Sequence, residues 1–213
     1  SGRIETGETI MRGTGRDDSI IGDSSNNWII PGIGNDFVNG LSGVDRVQFW
    51  DNREDFLFNL SDDGLLVSSG DGQHQLRNVE RLIFDDTKFA IDITGSAGLT
   101  AKTLAAVIGE AGLSNKEYVG IGLQLFDAGQ SLATVCKLAL TAVGATTNED
   151  VVNTLYSNLY GESPSDDQFQ EYVELLDQGV FTKGSLAAAA AELTDDLGVI
   201  NLVGLAETGI EYA

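Results

Sequence analysis

The spacing of apolar residues along the chain changes once, close to residue 95. Up to that point, single apolar residues recur every nine positions between segments rich in glycine, asparagine and aspartate, and short alternating segments follow. Beyond it, apolar residues take the three- and four-residue spacing of amphipathic helices. This spacing is clear at Leu155, Leu159, Val173, Leu175 and Leu176. The pattern predicts an α+β chain with a β-rich first part and an all-α second part.

Five consecutive rows of nine residues cover positions 4 to 48: IETGETIMR, GTGRDDSII, GDSSNNWII, PGIGNDFVN and GLSGVDRVQ. The eighth column is always apolar and contains Met11, Ile20, Ile29, Val38 and Val47. The sixth column contains Thr9, Asp18, Asn27, Asp36 and Asp45. One inward apolar residue per row predicts a short strand followed by a turn. Two rows would complete one coil of a flattened parallel β-roll, so turns two rows apart become neighbours in space.

The chain is strongly acidic, with a formal net charge of -21 from 33 acidic and 12 basic residues. This charge argues against nucleic acid or an anionic membrane as a partner. Carboxylates and carbonyls of stacked turns are instead the hard oxygen ligands that calcium takes. Cys136 is the single cysteine, which excludes an internal disulfide or a cysteine-based zinc site and predicts a buried apolar role. No apolar run reaches about 18 residues, so no membrane-spanning helix is expected.

The rows resemble the hemolysin-type nonapeptide repeat of RTX proteins, G-G-x-G-x-D-x-U-x. PGIGNDFVN is the nearest to this consensus, with Pro31 in place of the first glycine. The following segment resembles the piece that closes such rolls in secreted RTX proteins, chiefly through its hairpin and the phrase NVERLIFDD. The alternation that predicts the hairpin lies at Phe56, Phe58, Leu60, Leu65 and Val67. A further strand is expected from Arg81 to Phe84.

The resemblance implies two calcium sites built from carbonyls and sixth-column side chains of stacked turns. Rows two and four would contribute Thr14, Arg16, Asp18, Pro31, Ile33 and Asp36. Rows three and five would contribute Asp23, Ser25, Asn27, Gly40, Ser42 and Asp45. Because Asn27 replaces a carboxylate by an amide, the first site is expected to bind calcium more tightly. The pair Thr9 and Asn27 of rows one and three is expected to hold no ion or to bind it very weakly.

A metal-free stack of turns is the alternative, because aspartate and asparagine also stabilise turns through local hydrogen bonds. Without a cation, however, carboxylates on stacked turns would repel one another.

The helical part contains NLYGESPSDDQFQEYVELLDQG, which resembles an uncharacterised helical domain often found at the C terminus of such proteins. Where that family has the pattern LGRxPDxxGxxYW, this chain has Glu162 for the arginine and Ser165 for the aspartate. LFDAGQSLATV at 125–135 also echoes LLDQGVFTKGSL at 175–186, which suggests two related helical units. Gly129 and Gly179 each follow an apolar helical segment and are predicted to end helices.

Three segments are therefore expected: a calcium-binding β-roll at 1–48, a β capping segment at 49–94, and a helical domain of unknown role at 95–213. We find no catalytic set and do not expect an enzyme; His74, the single histidine, is predicted to be a solvated loop residue. The resemblance implies a secreted protein, exported by a type I route with an uncleaved C-terminal signal, whose repeats order on binding calcium.

The helical domain would then dock on a cell-surface glycan or protein. The alternative is the non-catalytic C-terminal portion of a larger surface adhesin, S-layer protein or glycan-active enzyme, in which calcium is purely structural.

Calcium should order the repeat segment, because the acidic turns repel one another until a cation offsets their charge. Circular dichroism in chelator and then in millimolar calcium should show a gain of β signal and little change in helical signal. A spectrum and melting temperature that ignore calcium would contradict this folding switch.

Overall fold

The computed structural model describes residues 9–61 and 63–213, so residues 4–8 of the first nine-residue row lie outside the described residues. The chain divides into two compact units. The first contains the chain up to Asp92 together with Val203–Glu211, and the second contains Ile93–Leu202 with Tyr212–Ala213. The division lies close to the expected boundary after residue 94, but the return of the C-terminal segment to the first unit was not anticipated.

The first unit contains two mixed sheets. The strands of the described chain are β1 (Thr9–Arg12), β2 (Ser19–Ile21), β3 (Asn27–Ile30), β4 (Phe37–Asn39), β5 (Arg46–Gln48), β6 (Leu57–Ser61), β7 (Gly64–Ser69), β8 (Gly72–Arg77), β9 (Arg81–Ile83), β10 (Lys88–Ala90) and β11 (Ile210–Tyr212). One sheet has the order β1-β3-β5-β9-β10-β11, and the other has the order β2-β4-β8-β7-β6.

The nine-residue rows alternate between the two sheets, and rows two apart pair in parallel. Ile20 of β2 pairs with Val38 of β4, and Ile29 of β3 pairs with Val47 of β5. These are the eighth-column residues, and all four are buried. The register predicted from the sequence is confirmed at these pairs. Burying each such side chain contributes about 1.5–3 kcal/mol.

Each stack of parallel strands continues into a segment that no longer follows the nine-residue spacing. Val38 pairs with Leu76 of β8, and Val47 pairs with Leu82 of β9. The antiparallel hairpin of β6 and β7 lies between row five and β8 in the sequence, and Phe58 pairs with Val67 in it. This hairpin confirms the predicted turn of the chain after Leu60.

Aromatic side chains fill the part of this core contributed by the segment after the rows. The rings of Phe49, Phe56 and Phe84 lie within 5.6 Å of one another, measured between centroids. The guanidinium of Arg53, in a short 3-10 helix (Arg53–Asp55), lies 3.6 Å from the centroid of Phe58. The stem and charge of Arg53 thus cover an aromatic surface that the hairpin would otherwise expose.

The interpretation of GDGQHQ as a loop is wrong for its last four residues, which begin β8, while Gly70 and Asp71 form the turn before the strand. Gly72 allows the strand to begin there: its φ is +143°, and a Cβ atom would lie 2.0 Å from the carbonyl oxygen of Gly34. His74 and Leu76 are the inward residues of the strand. A polar residue at one of only two inward positions hides the alternation that identifies a strand.

The second unit is helical, which confirms the predicted helical region. The α-helices of the described chain are α1 (Ser96–Ile108), α2 (Lys116–Asp127), α3 (Leu132–Ala142), α4 (Asn148–Tyr160), α5 (Asp166–Asp177), α6 (Lys183–Asp196) and α7 (Leu202–Thr208), with a 3-10 helix at Glu110–Ser114. Within residues 9–61 and 63–213, none of the helices combines the length and apolar character needed to span a bilayer.

Capping residues define the ends of these helices. Thr147, Ser165 and Thr182 begin α4, α5 and α6 with capping boxes, in which side chains and backbone N–H groups bond reciprocally. Gly129 and Gly179 follow α2 and α5 with φ of +79° and +72°, so the predicted helix ends are confirmed. Cys136 is also buried in the helical core, as predicted.

The second unit should fold without the first, since its core is formed by its own helices. A fragment of residues 93–202 is expected to keep its helical circular dichroism and a cooperative melt in chelator. Extending it to residue 213 should add little stability, because most of the added segment belongs to the first unit. An unfolded 93–202 fragment would contradict this division.

Candidate metal-binding site

The turns that precede the parallel strands lie in two stacks. The strand pairing places Asp18 and Asp36, which precede β2 and β4, level with His74, the third residue of β8, and we call this column the Asp36 stack. In the same way, Asn27, the first residue of β3, is level with Asp45 and Glu80, which precede β5 and β9, and we call this column the Asp45 stack. Thr9 pairs with Asn27 in the register of β1 and β3, but its side chain lies outside the described part of the chain.

Sixth-column side chains bond to the backbone of the preceding turn in the stack. Asp36 Oδ1 accepts a hydrogen bond from the N–H of Asp18 at 2.9 Å. Asp45 Oδ1 accepts from the N–H of Asn27 at 2.7 Å, and a Glu80 carboxylate oxygen accepts from the N–H of Asp45 at 2.7 Å. Each acidic residue thereby satisfies a backbone donor that its neighbouring turn does not satisfy itself.

Fifth-column side chains form the same kind of bond in the opposite direction. Asp17 Oδ1 accepts from the N–H of Asn35 at 2.8 Å, and Asn26 Oδ1 accepts from the N–H of Val44 at 2.9 Å. Both donors lie 18 residues later in the sequence. The two columns together link every turn of a stack to the next, which explains the Asp and Asn of the repeat even before any metal is considered.

Glycines allow carbonyl groups of neighbouring turns to approach one another closely. A Cβ atom on Gly13 would lie 2.0 Å from the oxygen of Pro31, and one on Gly32, with φ of +92°, would lie 2.0 Å from the oxygen of Thr14. The Thr14 oxygen also accepts from the N–H of Ile33 at 3.2 Å. The structure therefore brings the predicted residues of rows two and four together, with Arg16 beside Gly34 in the same stack.

Carboxylate oxygens in the Asp36 stack already have partners. Asp36 Oδ2 lies 3.0 Å from His74 Nδ1, while its Oδ1 bonds to Asp18. Asp18 Oδ2 accepts from both the N–H and the hydroxyl of Thr14, at 2.7 and 2.8 Å. The stack is held by internal bonds that a bound cation would have to share or replace.

His74 is 1 % exposed, so the prediction that it is a solvated loop residue is wrong. Burial lowers the pKa of His74, and the neighbouring Asp36 opposes that shift. While Asp36 is ionised, its oxygens can only accept, so Nδ1 of His74 carries the proton in this contact. The sequence offered no signal for the pair, because 38 residues separate its members and no repeat spans that distance.

Asp45 differs, because one of its oxygens is buried and unbonded. The residue is 0 % exposed, and its Oδ2 has no hydrogen-bond partner among the described residues. Burial raises the pKa of Asp45 to about 6, and the charge of Asp23 adds to the increase. An unpartnered carboxylate oxygen in this position costs free energy unless a proton or a cation satisfies it.

The missing partner follows from the local backbone of row five. In rows two and three the sixth-column oxygen accepts from the N–H of the second-column residue, Thr14 to Asp18 and Asp23 to Asn27. The corresponding residue of row five is Leu41, whose φ is +72°. Its N–H bonds instead to Asn39 Oδ1 at 3.2 Å, which leaves Asp45 Oδ2 without that donor.

Glu80 adds a second acid, half-buried, to the Asp45 stack. Burial raises the pKa of Glu80 to about 7; Asp45 and Asp92 add to the increase, and Arg81 opposes it. Sequence reasoning missed Glu80 as a member of the stack, because it lies in the phrase NVERLIFDD and outside the nine-residue rows. The bond from the N–H of Asp45 joins residues 35 positions apart.

The Asp45 stack contains side-chain and carbonyl oxygens beside its glycines. A Cβ atom on Gly22 would lie 2.1 Å from Asn27 Oδ1 and 2.4 Å from the carbonyl oxygen of Gly40, so both oxygens face the space that this glycine leaves. Asp45 Oδ2 lies 2.4 Å from the corresponding position on Gly40. Amide, carbonyl and carboxylate oxygens are the donors that calcium prefers.

Among residues 9–61 and 63–213, no three His, Cys, Asp or Glu side chains form a group that could hold a metal ion by themselves. A cation in either stack would therefore depend on backbone carbonyls as well as carboxylates. The predicted carbonyl donors of rows three and five lie in adjacent turns: a Cβ atom on Gly43 would lie 2.7 Å from the Ser25 oxygen, and Ser42 donates to the Asp23 oxygen at 3.4 Å. The predicted order of the two sites stays a prediction, although the unbonded oxygen lies in the second.

No protein-family model matches this chain, and no curated protein matches it in sequence. Among solved structures, the extracellular lipase LipA from Serratia marcescens is similar to part of it, with 13 % sequence identity and a TM-score of 0.25. The similar region covers 44 % of this chain and 18 % of the lipase chain.

The buried Asp45 and the half-buried Glu80 should make the calcium-free protein more stable in mild acid. Both pKa values lie above their ordinary values, so the folded state binds more protons than the unfolded state between about pH 4 and pH 7. The free energy of unfolding should fall as the pH rises through about 6 and 7. His74, whose pKa burial lowers, acts in the opposite direction, but it is one group against two, so melting temperatures in chelator should still be higher at pH 5.5 than at pH 7.5.

Glu80→Gln should flatten this dependence, because glutamine can still accept from Asp45 but does not titrate. Glu171→Gln, exposed on α5, is the control for the loss of one negative charge. Equal pH profiles for Glu80→Gln and the parent would contradict the assignment.

Proposed function

We propose that this chain is a calcium-binding module of the RTX type, in which calcium orders the first unit and the helical unit serves for docking or attachment. The observation that carries the proposal is the buried, unbonded Oδ2 of Asp45 within stacked acidic turns. A divalent cation satisfies such an oxygen without requiring a proton. The parallel pairing of rows two apart supports the description of the first unit as a β-roll.

In this proposal the two stacks hold separate ions. One ion is held in the Asp45 stack by the side-chain oxygens of Asn27 and Asp45 and by the carbonyls of Asp23, Ser25, Gly40 and Ser42. The other is held by the side chains of Asp18 and Asp36 with the carbonyls of Thr14, Arg16, Pro31 and Ile33. Bound calcium supplies positive charge at positions where burial and neighbouring negative charges disfavour the ionised form of a carboxyl group. The Asp45 stack needs this charge more, because Asp45 is followed there by Glu80, whereas Asp36 contacts His74.

Calcium binding is then coupled to folding. A chain with a net charge of -21 is disfavoured in compact form at low calcium, and the free energy of binding adds to that of folding. In a calcium-poor cytosol the rows would remain unstructured, and outside the cell calcium would order them. This coupling suits a protein that is exported unfolded and works in an extracellular or cell-surface location.

Asp45→Asn should weaken calcium binding about tenfold, since it removes the charge of the unbonded oxygen. The amide oxygen can still accept from Asn27, so the turn should keep its shape. Calorimetric titration of the parent should give dissociation constants of about 0.1–1 mM, as for extracellular calcium modules. Asp55→Asn, an exposed residue of the same unit, is the control for charge alone. Parent-like binding by Asp45→Asn would contradict the proposal.

Two further variants separate the sites. Asn27→Asp adds a carboxylate near Asp45, so it should lower stability in chelator and strengthen the second site in calcium. Asp36→Ala should remove the first site and leave the second one titratable. Loss of both sites in Asp36→Ala, with the protein folded, would mean that the two stacks do not bind independently.

A further inference from the structure

The helical unit contains two copies of one three-helix arrangement. Helices α1 and α4 are both 13 residues long and begin 52 positions apart; α2 and α5 are both 12 residues long and begin 50 positions apart. Helices α3 and α6 begin 51 positions apart, at Leu132 and Lys183. Helix α1 packs on α2 and α3 as α4 packs on α5 and α6. The weak similarity between the segments 125–135 and 175–186 is therefore part of a repeat that extends over three helices.

Each copy encloses an apolar groove, and corresponding positions line the two grooves. In the first copy α3 contributes Val135, Leu138, Ala139 and Ala142. In the second copy α6 contributes the residues 51 positions later, Leu186, Ala189, Ala190 and Leu193. We call these the first groove and the second groove. Their cavity volumes are about 380 Å³ and about 160 Å³.

Tyrosine rings account for part of this difference. The second groove is lined by Tyr156, Tyr160 and Tyr172, with the rings of Tyr156 and Tyr160 4.6 Å apart between centroids. The corresponding residues of the first groove are Leu104, Ile108 and Gly122. The second groove is thus lined by three of the protein's own phenol rings, whereas the first groove is lined by one, that of Tyr118.

One polar group also distinguishes the first groove. Thr100 lines it at the position where the second groove has Val152, a side chain of nearly the same shape. Thr100 is fully buried, and its hydroxyl has no hydrogen-bond partner among the described residues. An unbonded buried hydroxyl costs free energy that a ligand with an oxygen acceptor would recover.

We propose that the first groove binds a small monocyclic aromatic molecule that carries an oxygen, the free counterpart of the tyrosine rings in the second groove. Apolar cavities of about 150 Å³ hold one benzene-sized ring, so a groove of about 380 Å³ has sufficient room. The ring packs against Leu104, Ile108 and Leu138, and its oxygen accepts from Thr100. This site is independent of calcium and of the proposed function.

The probe is 4-methylphenol, which is the side chain of tyrosine as a free molecule. Titration of the full chain, followed by NMR of its methyl groups, should shift signals of Leu104, Ile121 and Leu138 with a dissociation constant on the order of 1 mM. Thr100→Val should weaken 4-methylphenol binding about fivefold, as expected for one hydrogen bond. Toluene, which lacks the oxygen, should bind the parent and Thr100→Val equally.

Ile108→Tyr gives the first groove the residue that the second has at Tyr160, and it should abolish binding. Ala142→Leu copies Leu193 in the same way and should weaken binding, which provides a second test if Ile108→Tyr fails to fold. Tyr160→Ile is the matched control and should leave the affinity of the first groove unchanged. No saturable shift at about 10 mM probe, or binding that both blocking variants leave intact, would overturn the proposal.

Discussion

The first unit depends on hydrogen bonds that pass between turns. A tight turn leaves backbone N–H groups without acceptors, and here side chains of neighbouring turns accept them. Asp36 and Asp45 bond backward to Asp18 and Asn27, while Asp17 bonds forward to Asn35. Because these bonds require identical spacing in successive turns, they fix the separation of 18 residues between stacked rows. The same spacing brings carbonyl groups face to face across glycines, which creates the oxygen-rich surroundings of the candidate sites.

Satisfying backbone donors with acids has an electrostatic cost. Carboxylates that bond to the backbone are drawn out of water, and those of successive turns lie near one another. The two stacks resolve this differently, although their rows look alike. Asp36 contacts an imidazole, whereas Asp45 is followed by the second acid Glu80 and keeps one oxygen unbonded. The residues that end the stacks, together with the local backbone of row five, therefore decide where a proton or a cation stabilises the unit most.

The second unit is ordered differently: caps and glycines end its helices, and α1 matches α4 in length as α2 matches α5. Two copies of the same three-helix arrangement form one core, with α3 packed on α6 and α1 on α4. The two copies differ in residues that line the grooves. Exchanging three tyrosines for Leu104, Ile108 and Gly122 changes the volume of a groove without changing the fold.

The sequence by itself determined the features that arise from local periodicity. These are the nine-residue register, the buried eighth column, the pairing of rows two apart, the hairpin, and the helices with their glycine ends. Tertiary structure alone decided how β8 and β9 join the stacks, because the length and pairing of the inserted hairpin set that register. His74 and Glu80 consequently meet Asp36 and Asp45 over 38 and 35 residues, distances that no repeat encodes. The unbonded oxygen of Asp45 likewise follows from the φ of Leu41, which only the folded backbone reveals.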